Sequence, residues 1–157
     1  MTAIQTRPGI RSLHGPATVA GAAATVLVLA GLYLDTPWKE QGNKEWALTT
    51  DHHSIADLLV SVGFVAAGLA VIFGVVVARR LRGPAGTETA WSMALAVTGV
   101  VSAVVFWTGL PVILAVGAVV LALDSRARLG RTPTATWIVV VLAVLTTVVA
   151  VSLALVG

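Results

Sequence analysis

Four long apolar stretches make up most of this chain, at about 17–34, 54–78, 90–123 and 134–156. Every arginine lies before or between them. Arg7 and Arg11 precede the first stretch, Arg79, Arg80 and Arg82 follow the second, and Arg126, Arg128 and Arg131 precede the last. The only lysines, Lys39 and Lys44, stand in a different connection, among Asp35, Glu40, Glu45 and Asp51. A helix needs about 20 apolar residues to cross about 30 Å of hydrocarbon, so runs of this length commit the chain to a bilayer.

Composition agrees. The chain is 57% hydrophobic and 11% charged, with a mean hydropathy of +0.95; a soluble domain carries about 25% charged residues. At 157 residues it has room for a single membrane domain, residues 1–157. A pI near 10.2 suggests nucleic acid in other settings. Here the basic residues are juxtamembrane and no basic face is interleaved with aromatics, so anionic lipid headgroups on the inner side are the expected counter-charge. The headgroup ligands are Arg79, Arg80, Arg82, Arg126, Arg128 and Arg131. The absence of cysteine excludes disulfides, thiolate metal sites and cysteine catalysis.

Arg7 and Arg11 followed by an apolar run is also how a secretory signal begins. The run continues through Leu34, so an uncleaved first span is the better reading. It starts at Gly15-Pro16 and stops at Asp35-Thr36-Pro37. The second span covers about 54–78, and the last about 134–156, with Thr132 as N-cap and Pro133 at the first helical position.

The stretch 90–123 is too long for one span; as a single helix it would measure about 50 Å. Thr108-Gly109-Leu110-Pro111 interrupts it, and a Gly followed closely by Pro is a chain-reversal signal. A tight hairpin there yields a third span of about 90–107 and a short, shallow fourth of about 110–124.

Five spans place all eight arginines with Glu88 and Asp124 on one side, a net charge of +6. The other side then holds two lysines against Asp35, Glu40, Glu45, Asp51 and Asp57, a net of −3. Four spans would force Arg126, Arg128 and Arg131 outside, against the cytoplasmic excess of Lys and Arg that short loops show. The expected fold is therefore an all-α integral membrane bundle of five helices, N-terminus inside and C-terminus outside, with an outer loop at 35–53. Tyr33, Trp38, Trp46, Phe106 and Trp107 then fall at outer helix ends, and Trp91 and Trp137 at inner ends, as interfacial aromatics do.

In lipid, helices associate through close approach of small residues and through interhelical hydrogen bonds. Small residues recur every fourth position at Ala66, Ala70, Gly74 and Ala78, with Gly63 and Ala67 as a second pair. Ala17, Gly21 and Thr25 repeat the spacing, as do Ala94, Thr98 and Ser102, and Ala143, Thr147, Ala150 and Ala154. These stripes suit packing within the chain, with contact to a partner as the alternative. Thr98, Ser102, Thr146 and Thr147 are expected to bond to their own helix carbonyls.

Asp51, His52, His53, Ser54 and Asp57 are the one gathering of groups with chemistry, at the outer entrance of the second span. His52, His53 and Asp57 are candidate ligands for a metal ion such as Zn²⁺, or carriers of a proton relay. The competing reading is a capping box, Ser54-Ile-Ala-Asp57, ahead of an apolar run. Zn²⁺ needs about four ligands and one helix entrance supplies two or three. His14 lies on the opposite side, and Met1 and Met93 alone do not make a copper site. No nucleophile constellation or phosphate loop is present, and no cofactor is expected. The inner charges read as local: Thr87-Glu88 capping the third span, and Asp124 paired with Arg126 or Arg128 on solvated faces.

The sequence thus describes a non-enzymatic accessory, assembly or scaffold subunit acting through its helix faces and outer loop, alone as a homo-oligomer or within a larger complex. The alternative is a small oligomeric transport protein for a metal ion or protons, with the His/Asp cluster at its outer mouth. Abundant Ala, Val and Arg with scarce Lys point to the plasma membrane of a high-GC bacterium.

Overall fold

The computed structural model describes residues 11–39, 45–48, 54–83, 87–130, 132 and 134–156. Among them, five helices are long and apolar enough to cross a membrane. These are α1 (Arg11–Tyr33), α2 (Ile55–Leu81), α3 (Thr87–Thr108), α4 (Leu110–Leu129) and α5 (Thr134–Val156). Two short strands, β1 (Leu34–Asp35) and β2 (Ala47–Leu48), pair antiparallel with Leu34 opposite Leu48.

The fourth span, expected to be short and shallow, is the centre of the bundle. It packs on all four other helices. Of its apolar window 56% is buried, against 22–28% in the others. Small side chains make this possible: Ala115, Gly117, Ala118 and Ala122 are buried and let neighbouring backbones approach. A Cβ on Gly117 would lie 3.0 Å from Ile72 Cγ2 on α2. The helix runs past its apolar stretch to Leu129 because Asp124 and Arg128 neutralise each other along its own face. It ends at Gly130, whose φ of 63° is the left-handed cap that glycine tolerates best.

Between α3 and α4 the chain turns sharply. The last six residues of α3, Ala103–Thr108, tighten to a 3₁₀ helix, and Val105 leaves helical space (φ −108°, ψ 42°). Gly109 follows at φ 68°, and a Cβ there would stand 2.9 Å from Ala24 Cβ and 3.0 Å from Val65 Cγ2. Both backbone conformation and space therefore demand glycine. Thr108 Oγ donates to Val105 O (2.8 Å) and accepts from Leu110 N (3.2 Å). α4 then runs back along α3, bringing Thr89 and Ser125 hydroxyls to 2.7 Å at the far end.

The small-residue stripes divide. On α5, Ala143, Ala150 and Ala154 are buried, and Thr146 and Thr147 bond to the carbonyls of Leu142 and Ala143. On α1, Gly21 lies against Leu69 of α2. The α2 stripe does the opposite: Gly63, Ala66, Ala67, Ala70 and Gly74 all face away from the bundle. Nothing lies within 4 Å of a Cβ built on Gly63 or Gly74. α2 buries Val65, Ile72, Phe73 and Val77 instead, and its segment Ala70–Val77 is wound as a π-helix. Ala94 and Thr98 of α3 also face outward.

In the connection between α1 and α2 the described residues include the β1–β2 pair, with Trp38 and Trp46 edge-to-face at 5.5 Å, both exposed. Thr36 is fully buried and its hydroxyl donates to Leu155 O, while Lys39 Nζ donates to Gly31 O (2.9 Å). Each thereby satisfies a carbonyl that the end of α5 or α1 leaves without an intrahelical partner.

Candidate functional site: a buried ion-pair cluster

The ionisable side chains that the fold draws together lie at the arginine-bearing end, where the end of α2, the start of α3 and the end of α4 converge. Arg128 is the hub. Its Nη1 lies 3.1 Å from Glu88 Oε1 on α3, and its Nε lies 2.7 Å from Asp124 Oδ2 one turn earlier on α4. Nη1 also donates to Gly83 O (3.2 Å), and Nη2 to Leu81 O. The Glu88 side chain is fully buried, and those of Asp124 and Arg128 are 14% and 24% exposed. Beside them the Thr89–Ser125 hydrogen bond links α3 to α4, and Ser92 Oγ donates to Thr89 O (2.8 Å).

A planar guanidinium with donors on three nitrogens is suited to this work, because it can meet two carboxylates and two carbonyls at once. Chemically the cluster is a staple: it joins three helices and satisfies the Leu81 carbonyl at the end of α2 and the Gly83 carbonyl just past it. Losing one partner of such a buried pair leaves an uncompensated charge, which costs about 3–5 kcal/mol.

Arg128, expected among the headgroup ligands, directs its donors to Glu88, Asp124 and the Leu81 and Gly83 carbonyls. Glu88, expected on a solvated face, is buried with Arg128 against it. The local pairing of Asp124 falls to Arg128, because the i,i+4 spacing puts both on one face, whereas Arg126 lies on another. The signal available in sequence was Glu88 itself, a carboxylate with no basic residue on its own helix to answer it.

The remaining headgroup candidates separate as follows. Arg79, Arg82 and Arg126 are exposed. The Arg80 guanidinium sits over the Trp91 ring, 3.9 Å from its centroid. Arg131 lies outside the described residues.

At the opposite end, Ser54 and Asp57 form the capping box. Asp57 Oδ2 accepts from Ser54 N (2.8 Å) and Ser54 Oγ (2.9 Å), and Ser54 Oγ accepts from Asp57 N (3.3 Å). His52 and His53 lie outside the described residues, and among the described ones no group of three or more His, Cys, Asp or Glu is placed to hold a metal ion. Near β1, partial burial pulls the Lys39 ammonium below the ordinary lysine range, and the charge of Asp35 opposes that shift.

The fold and this staple define a small multi-pass α-helical membrane protein. No family model matches the chain, and neither a curated protein nor a solved structure is significantly similar to it.

Proposed function

We propose that the protein is a non-enzymatic accessory or assembly subunit, working by helix packing within a larger membrane complex. In this reading the arginine-bearing end faces the cytoplasm, and the β1–β2 hairpin and the C-terminus face outward across a bacterial plasma membrane. The observation that carries it is the orientation of α2. A helix whose small residues pack inward needs nothing further. One that turns Gly63, Ala66, Ala67, Ala70 and Gly74 outward leaves a shallow face where another helix can approach closely. The ionisable cluster supports the same reading, since its groups are engaged in joining α2, α3 and α4.

Purification from the host in mild detergent tests this. The expected result is a stoichiometric partner, lost when Gly63 and Gly74 are both replaced by leucine. Recovery of the wild-type chain as a monodisperse monomer would overturn the proposal.

A further inference from the structure

Where α4 gives way to α5, the arginine-bearing end carries an open groove of about 310 Å³, lined by Leu123, Arg126, Ala127, Gly130 and Thr132. Arg126 and Arg128, two residues apart on α4, have opposite roles there. Arg128 is bound inward to Glu88 and Asp124, while Arg126 is exposed and has no ion-pair partner among the described residues. A cation in the last turn of a long helix, at membrane depth, meets the headgroup layer, where an anion gains about 1 kcal/mol per nearby basic side chain.

The other walls suit a particular anion. Leu123, one turn deeper along α4, is half-exposed and gives the groove an aliphatic side. Ala127 and Gly130 keep its floor low; nothing lies within 4 Å of a Cβ built on Gly130. Thr132 contributes a hydroxyl just ahead of α5, whose N-terminal amides favour negative charge. A guanidinium-bearing and a hydroxyl-bearing residue lining one groove with an aliphatic side chain match a phosphate diester carrying acyl chains.

We propose that this groove binds the headgroup of an anionic phospholipid. Arg126 is the ion partner of its phosphate, Thr132 a hydrogen-bond donor, and Leu123 the wall for the first methylenes of an acyl chain. Arg79 and Arg82, exposed at the same end, add only diffuse attraction.

The test is retention of phosphatidylglycerol by the full-length protein, moved through phosphatidylcholine nanodiscs of graded phosphatidylglycerol content and read by native mass spectrometry. The wild type should hold about one phosphatidylglycerol in preference to phosphatidylcholine. Arg126→Gln should weaken that preference about fivefold, the loss of one juxtamembrane cation, and Arg82→Gln should weaken it clearly less. Equal losses from the two variants would overturn the proposal in favour of diffuse surface charge. Displacement of the lipid by inorganic phosphate at matched concentration would overturn it in favour of a free-anion site.

Discussion

The Arg128 guanidinium and the Glu88 carboxylate come from different helices and meet at 3.1 Å, with Glu88 fully buried. With the Leu81 and Gly83 carbonyls on the same guanidinium, this contact locks the order of α2, α3 and α4 at one end of the bundle.

Arg128→Met should therefore destabilise the protein by about 3–5 kcal/mol, since it leaves the Glu88 charge buried. Arg126→Met, on the exposed side of the same helix, should change stability by less than about 0.5 kcal/mol. Denaturant unfolding in micelles measures both. In the double variant Glu88→Gln/Arg128→Met the cost should be less than the sum of the single changes, because the fully buried Glu88 charge is gone and only Asp124 is left unpaired.

Gly109 and Gly130 share a left-handed backbone but differ in surroundings. Gly130→Ala meets open space and should cost only the conformational term, about 1–2 kcal/mol. Gly109→Ala must in addition displace Ala24 or Val65 and should cost clearly more. Thermal unfolding of the two variants side by side separates the contributions.

Ser54→Ala removes the acceptor for the Asp57 amide and should lower stability by about 1 kcal/mol. If Asp57 serves only the cap, Asp57→Asn will leave metal- and pH-dependent flux in liposomes at the wild-type level. Abolition of a wild-type flux by this change would instead favour the transport reading.

Lys39 should titrate below an ordinary lysine, which amine labelling across an alkaline pH series will show. Burial favours its neutral form in the folded state, so the unfolded chain binds the proton more tightly. The stability contributed by this group is fully present above the ordinary lysine pKa. It is lost as pH falls through the lowered, folded-state value. Lys39→Met should flatten that alkaline dependence.

What could be read before folding is local. The five spans follow from apolar length and from the arginines that interrupt it, and Ser54 with Asp57 announces a cap because its partners are three residues apart. The pairing of Asp124 narrows to Arg126 or Arg128 on the same grounds. Apolar length alone ends the fourth span at about 124, because hydropathy stops at a charge, whereas the helix itself is longer. Asp124 and Arg128 answer each other across one turn and carry the helix on to Leu129.

Tertiary structure decided the rest: that α4 stands at the centre, that Glu88 lies under Arg128, and that the small residues of α2 face outward while those of α5 face in. Each depends on how a helix is rotated about its axis and which neighbours surround it. In a chain this uniformly apolar, lipid-facing and core-facing sides look alike, so no hydrophobic stripe records the rotation. It is set by side-chain volume at the contacts and by a few buried polar partners, which meet only when the helices assemble.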